Sequence, residues 1–217
     1  MQDARKIKDQ LYEQVARIGK VFASPKRLEL IELLCQNAKT VEMLAQEAAI
    51  SIKLTSAHLR ELRMAHLVET ERQGKYIYYR LANRQVADLW VQTHLLAENR
   101  LAALRQVLQQ ISTQPDDLMP NNRDNLLKAA RKGEVVVLDV RPCEEYLHAH
   151  LPFARSIPLA ELSQRLAELP KDRTIVAYCR GPYCLFAKDA VELLRQAGYH
   201  AQPLREGVAE WGMTAHV

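Results

Sequence analysis

The chain has 217 residues, of which 48% are hydrophobic and 26% are charged, and its formal net charge at pH 7 is +4. This length predicts two globular domains, and the composition excludes a membrane partner, because no apolar stretch approaches the roughly 18 residues that a bilayer span needs. The four cysteines are too few and too scattered for a disulfide framework, so we expect a cytoplasmic protein with reduced thiols.

The positive charge is concentrated in the first half of the chain. Residues 1–112 contain 17 Lys and Arg against 12 Asp and Glu, whereas residues 113–217 contain 13 against 14. A net charge of +5 in the first half makes it the part to test for nucleic-acid binding.

Apolar residues at helical spacing predict four helices in the first part of the chain. These helices span residues 8–22, 25–37, 41–48 and 52–65. Ser24 and Pro25 are typical of an N-cap and of the first helical position. The last two helices are separated only by residues 49–51, which predicts a helix-turn-helix.

A β-hairpin and a long helix follow. Strand-like runs at 67–72 and 76–81 are joined at Gly74, which predicts a wing, so the first domain is expected to be a mainly α winged helix-turn-helix. The last helix, about residues 85–111, has apolar residues on more surface than one small domain covers. This excess predicts packing against a second copy in a homodimer.

Residues 113–122 contain prolines and amides without a helical period, and we expect a linker there. This assigns residues 1–112 to the DNA-binding and dimerisation domain and residues 123–217 to a second domain. In the second domain strands and helices alternate, which predicts an α/β fold with a parallel sheet covered on both faces. The expected strands are 135–140, 155–157, 174–178 and 201–204. The expected helices are 123–132, a short one near 144, 159–168, 185–197 and 208–211.

The strand at 174–178 leads into a short loop that begins at Cys179. Backbone N–H groups of such a loop converge on its centre, and the following helix adds its positive end. We therefore expect a lowered pKa and a nucleophilic role for the Cys179 thiol. The loop residues that could assist it are Arg180, Gly181, Tyr183 and Cys184. Alternatively, the two cysteines form a reversible disulfide, with Cys179 attacked first and Cys184 resolving.

Residues 22–31 and 56–62 resemble the ArsR/SmtB family of dimeric winged-helix repressors. The resemblance implies that the helix at 52–65 enters the major groove of double-stranded operator DNA. Arg72 and Lys75, which flank the wing tip, would contact the DNA backbone. The candidate contacts on the helix are Lys53, Thr55, Ser56, His58 and Arg60.

Many members of this family bind metals through paired cysteines on the third helix or through acidic and histidine residues on the last. The third helix of this chain has no cysteine, and His94 with Glu98 on the last helix is only a two-ligand set. We therefore predict no metal site and no cofactor. Cys35 is either part of a thiol switch or a buried, inert thiol.

The second domain resembles rhodanese, the single-domain sulfurtransferase module, over residues 121–215. The matching landmarks, in order, are residues 137–142, 145–146, 150–158, 177–180, 206–207 and 211. The resemblance implies that the Cys179 thiolate attacks a sulfane sulfur and carries it as a persulfide to an acceptor thiol. Cys184 stands where rhodaneses commonly have a basic or hydroxyl residue, and Pro182 removes one N–H from the loop.

Four polar residues of this domain are expected to have structural roles, including an ion pair between Arg141 and Glu145. The other two are Asp139 and His150.

The leading hypothesis is a homodimeric transcriptional repressor whose rhodanese domain accepts or senses sulfane sulfur through Cys179. Its sulfur state would report to the DNA-binding half through the linker. One alternative is a thiosulfate or persulfide sulfurtransferase whose main role is catalysis. Another is an arsenic- or metal-responsive repressor with Cys179 and Cys184 as soft ligands.

Overall fold

The structure is a computed structural model that describes residues 2–111 and 123–214. The chain divides into two compact units, Met1–Trp90 and Val91–Val217. The expected linker at 113–122 lies outside the described residues, so the domain bounds inferred from the sequence stay a prediction.

The described part of the first unit is a winged helix-turn-helix, as the sequence predicts. Its complete helices are α1 (Gln2–Phe22), α2 (Pro25–Leu34), α3 (Val41–Glu47) and α4 (Ile52–Met64). Its strands are β1 (Lys39–Thr40), β2 (Val68–Gln73) and β3 (Tyr76–Leu81). Ser51 caps α4, because its side-chain oxygen accepts a hydrogen bond from the Leu54 N–H.

The wing is an antiparallel hairpin whose last pair is Gln73 opposite Tyr76, which leaves a two-residue turn. Gly74 in this turn has φ of +60°, a left-handed conformation that favours glycine. β1 pairs with β3 and completes a sheet of order β1-β3-β2. The sequence did not predict β1, whose buried Lys39 is paired with Glu47 at 3.0 Å.

The prediction of a single helix at 85–111 is wrong, because the structure contains two helices there, α5 (Arg84–Arg100) and α6 (Ala102–Ile111). The Arg105 side chain donates hydrogen bonds to the carbonyls of Glu98 and Asn99, at 2.8 and 3.0 Å. These bonds satisfy carbonyl groups at the end of α5 that would otherwise lack a helical partner. The boundary between the two units falls within α5.

The described part of the second unit, beyond α6, has an α/β fold, which confirms the prediction. Its helices are α7 (Arg123–Lys132), α8 (Cys143–His148), α9 (Leu159–Arg165), α10 (Phe186–Gln196) and α11 (Val208–Thr214). Its strands are β4 (Val135–Asp139), β5 (Arg155–Ser156), β6 (Thr174–Tyr178) and β7 (Ala201–Pro203). They form a parallel sheet of order β5-β4-β6-β7.

Both faces of this sheet are covered by apolar side chains. Leu138 and Ile175 belong to a large cluster on one face, and Val137 and Val176 belong to a second cluster on the other. Successive strand residues point to opposite faces, so the central strands β4 and β6 are apolar over most of their length. Because β6 is central and parallel to β4, the residue that follows it emerges at the carboxyl edge of the sheet, where α/β proteins bind ligands.

Candidate functional site

The cysteine loop runs from Cys179, directly after β6, to the start of α10 at Phe186. The backbone of this loop packs closely against the segment before α11. A Cβ added at Gly207 would lie 2.2 Å from the Arg180 carbonyl oxygen, so only glycine fits there. A Cβ added at Gly181 would lie 3.2 Å from a carboxylate oxygen of Glu210. The loop therefore has little room to change shape.

The Cys179 thiol lies in the core of the second unit and is only 2% exposed. Burial raises the pKa of this thiol well above its ordinary value, and the neighbouring Cys184 raises it further. Backbone hydrogen bonds from Ala187 and Gly181 act in the opposite direction but do not offset burial. The expectation of a lowered pKa at Cys179 is therefore wrong, because the loop amides cannot replace the lost hydration of a thiolate.

The Cys184 thiol is half-buried and is the more acidic member of the pair. A hydrogen bond from the Cys179 thiol lowers the pKa of Cys184 to about 7, against the opposing effect of burial. Backbone hydrogen bonds from Arg180 and Phe186 and the positive charge of Arg180 lower it further. The loop amides, which the sequence predicts to stabilise an anion at Cys179, lower the pKa of Cys184.

Arg180 is fixed by a buried carboxylate. Its guanidinium donates to Glu145, with Nη2 at 2.5 Å from Oε1, and lies 5.6 Å from the centre of the Phe186 ring. The loop arginine therefore ties α8 to the start of α10.

The two residues of the predicted Arg141–Glu145 ion pair each have another charged partner. Arg141 pairs with Asp139, whose Oδ2 lies 2.7 Å from Nη2, and Glu145 pairs with Arg180. Asp139 also accepts a hydrogen bond from the Tyr178 hydroxyl at 2.5 Å. These buried contacts join the ends of β4 and β6 beneath the cysteine loop, and His150 lies apart from them, exposed and stacked on Tyr146.

A buried ionic cluster lies beside the loop, within the second unit. His94 Nε2 is 3.2 Å from Glu210 Oε1, and His94 Nδ1 is 3.5 Å from Glu98 Oε1. Burial would lower the pKa of His94, but the hydrogen bond to Glu210 and the nearby charge of Glu98 raise it to about 9. Arg205 pairs with Glu98, and the Tyr183 ring meets the His94 ring edge-on at 5.5 Å.

The sequence interpretation weighed His94 and Glu98 as metal ligands, did not favour that role, and missed Glu210. Their four-residue spacing indicates a shared helix face, but nothing local marks Glu210 as their partner. Among residues 2–111 and 123–214, no group of three or more His, Cys, Asp or Glu side chains is arranged to hold a metal ion.

The candidate DNA-contacting residues of α4 do not share one face. Thr55 is 0% exposed, and its hydroxyl donates to the Ser51 carbonyl oxygen at 3.0 Å. The prediction of Thr55 as a DNA contact is wrong, because it is on the inward face with Leu59. The remaining candidates are Lys53, Ser56 and Arg60, which are exposed, and His58, which is half-buried.

The two candidate residues of the wing are exposed near its tip. Arg72 Nε donates to the Gly74 carbonyl oxygen at 3.1 Å, and Lys75 Nζ lies 5.2 Å from the centre of the Tyr76 ring. Both side chains therefore carry their charge at the turn of the hairpin.

One face of α1 exposes apolar side chains at four-residue intervals. Ile7, Leu11 and Val15 are 58%, 63% and 69% exposed. Contiguous apolar surface of this kind is typical of a protein interface.

None of the helices among the described residues combines the length and apolar character that crossing a membrane requires.

Two family models match the chain. The model described as "Bacterial regulatory protein, arsR family" matches residues 24–70, and the "Rhodanese-like domain" model matches residues 122–214. The first match covers α2 to β2, and the second covers the sheet and the cysteine loop.

Known proteins resemble the chain both along its length and in its parts. The HTH-type transcriptional regulator Rv0324 of Mycobacterium tuberculosis is 42% identical over 201 residues, which are 93% of this chain and 88% of that protein. A sulfurtransferase of Allochromatium vinosum is 33% identical over 85 residues, which are 39% of this chain and 78% of that protein.

Among solved structures, the NMR structure of the homodimeric winged helix-turn-helix DNA-binding domain of Mb0332 from Mycobacterium bovis is 36% identical. The aligned region covers 44% of this chain and 89% of the Mb0332 chain, with a TM-score of 0.42. The two family models, together with the similarity to Rv0324 over most of the chain, show that this chain belongs to the ArsR family of HTH-type transcriptional regulators and carries a C-terminal rhodanese-like domain.

Proposed function

We propose that this regulator is a repressor whose rhodanese-like domain accepts or senses sulfane sulfur through Cys179 and Cys184. One observation carries the proposal: the Cys179 thiol donates a hydrogen bond to the Cys184 carbonyl oxygen at 3.3 Å, and its position beside the Cys184 thiol lowers the pKa of Cys184 to about 7. Attack on a sulfane sulfur needs a thiolate, and Cys184 supplies one at neutral pH. Similarity to an HTH-type regulator over most of the chain favours regulation over catalysis as the main role.

The chemistry begins with the more exposed and more acidic thiol. The Cys184 thiolate attacks the outer sulfur of thiosulfate, a new S–S bond forms on Cys184, the donor S–S bond breaks, and sulfite leaves. The resulting persulfide passes its outer sulfur to an acceptor thiol, or Cys179 attacks the inner sulfur. In the second case a Cys179–Cys184 disulfide forms and hydrosulfide leaves with the Cys179 proton. In this scheme Cys184 reacts first and Cys179 resolves, which reverses the order inferred from the sequence.

The DNA-binding role rests on α4 and the wing. Lys53, Ser56 and Arg60 present two cations and a hydroxyl on one exposed surface, with the half-buried His58 beside them. Such side chains supply donors for phosphate oxygens and base edges, and a helix fits the major groove of B-form DNA. The wing cations at its tip would contact the phosphate backbone. Operator DNA as the partner places the protein in the cytoplasm.

A homodimer follows from the apolar face of α1. Ile7, Leu11 and Val15 lie one turn apart, so a second copy related by twofold symmetry would cover one continuous stripe. A dimer also presents two copies of α4 to two operator half-sites.

The test combines mass spectrometry with a DNA titration of the same sample. Wild-type protein treated with polysulfide is expected to gain sulfur on Cys184, or a Cys179–Cys184 disulfide, and to change its affinity for selected operator fragments by about tenfold or more. Cys184→Ser removes both the modification and the response. Cys143→Ser, which alters an exposed cysteine of the same unit, is the matched control and keeps both. Sulfur uptake that leaves DNA affinity unchanged contradicts the sensing role.

A further inference from the structure

α5 contributes two buried ionisable side chains to the surroundings of the cysteine loop. His94 and Glu98 are both less than a tenth exposed, and both belong to the second unit. Neither is explained by the sulfur chemistry or by DNA contact. Buried charges are costly unless paired, so their partners define what they do.

His94 meets the loop by two routes. Its ring lies edge-on against Tyr183, the residue that precedes Cys184, at 5.5 Å between ring centres. Its Nε2 also bonds to Glu210, whose carboxylate lies against Gly181. Tyr183 therefore contacts His94 directly, and Gly181 is linked to His94 through one carboxylate.

Glu210 cannot move independently of the loop. Its second oxygen accepts a hydrogen bond from the Gly207 N–H at 2.8 Å. Gly207 in turn packs against the Arg180 carbonyl so closely that no other residue fits. An added sulfur atom or a new disulfide changes the packing of the loop, and Gly181 and Tyr183 are the loop residues that connect it to Glu210 and His94.

α5 continues this path away from the loop. It is one uninterrupted helix from Arg84 to Arg100, and its earlier residues Val86 and Trp90 are buried members of the first unit. α5 contains no Pro or Gly at which it could kink, so a shift at His94 is expected to move these two residues as well.

We propose that His94 and Glu98 form the regulatory contact through which the sulfur state of the Cys179–Cys184 loop changes DNA affinity by way of α5. The inference rests on the proposed function and replaces the linker route with a helical one. Allosteric coupling requires two sites and an element that both of them bias, and α5 is that element.

The test compares His94→Ala with Gln92→Ala, an exposed position two residues earlier on the same helix. Each protein is titrated with operator DNA in reduced form and after polysulfide treatment, and its sulfur load is read by mass spectrometry. Wild type and Gln92→Ala are expected to change affinity by about 5- to 150-fold on sulfur loading, while His94→Ala loads sulfur equally and changes by less than about twofold.

The outcomes separate this inference from the proposed function. If wild type loads sulfur without any change in DNA affinity, the sensing function itself fails. If wild type responds and His94→Ala responds equally, the sensing function stands and the α5 route is overturned. Failure of His94→Ala to load sulfur also overturns the route, because His94 would then only position the thiols. Should His94→Ala not fold, Glu98→Gln, which removes the charge beside His94 on the same helix, decides by the same criteria.

Discussion

The Cys179 thiol donates a hydrogen bond to Cys184, whose carbonyl oxygen lies 3.3 Å away, and the unequal burial of the two thiols decides which sulfur carries the negative charge. A shift of one pKa unit corresponds to about 1.4 kcal/mol, so the difference between the two thiols decides which one reacts at neutral pH. Backbone N–H groups serve both sulfurs, but burial outweighs them at Cys179 and the hydrogen bond from its neighbour outweighs burial at Cys184. The acidic thiol is therefore the one nearer to solvent.

The first prediction concerns this hydrogen bond. Cys179→Ala removes the donor and is expected to raise the pKa of Cys184 from about 7 toward the ordinary value of about 8.5. In wild type, the rate of Cys184 alkylation should rise as the pH increases through 7, because the thiolate is the reactive form. In the variant the same rise should occur at higher pH. Alkylation rates measured by peptide mass spectrometry check this, and an unchanged profile in Cys179→Ala would contradict it.

At the scale of secondary-structure elements, α4 separates packing from recognition by its helical period. Thr55, Leu59 and Leu62 recur every three or four residues on the buried face. Lys53, Ser56 and Arg60 are on the exposed surface of the same helix. A substitution on one side should therefore affect stability, and a substitution on the other should affect DNA binding.

The second prediction uses that division. Arg60→Ala is expected to weaken operator binding by about 1–3 kcal/mol without changing stability, because an exposed cation that serves DNA contributes little to folding. Thr55→Val should reduce the free energy of unfolding by roughly 1 kcal/mol through the lost hydrogen bond to Ser51, and should leave DNA affinity unchanged. Fluorescence anisotropy and urea unfolding measure the two effects. Equal losses of DNA affinity in both folded variants would refute the assignment.

At the scale of the whole molecule, two copies of the chain are expected to act together. The stripe of Ile7, Leu11 and Val15 would remain in water in a monomer. Each such side chain contributes about 1.5–3 kcal/mol when it is fully buried, so covering the stripe favours association.

The third prediction tests this surface. Leu11→Glu should cost about 2 kcal/mol per copy, and a twofold dimer contains the position twice, so the dimer dissociation constant should rise by roughly 1,000-fold. Gln10→Glu adds the same charge at the adjacent exposed position and is expected to leave the dimer intact. Analytical ultracentrifugation measures the two constants. An unchanged monomer–dimer equilibrium in Leu11→Glu would show that the dimer interface does not include this stripe.

Most elements of both units could be predicted from local pattern. Helix α7 at 123–132 and strand β6 at 174–178 begin and end where the sequence places them, because apolar period and turn residues are properties of neighbouring positions. The break between α5 and α6 was missed, since the Arg105 side chain replaces the helical partners there without any Gly or Pro to mark it.

Local sequence pattern was enough to predict the winged helix-turn-helix, the parallel sheet and the cysteine-bearing loop, because each depends on residues close together along the chain. The folded structure was needed to show which thiol has the lowered pKa, which face of α4 is buried, and that His94 reaches Glu210, 116 residues away. Burial and long-range pairing depend on segments distant in sequence, and these two effects govern the charge of a sulfur or an imidazole.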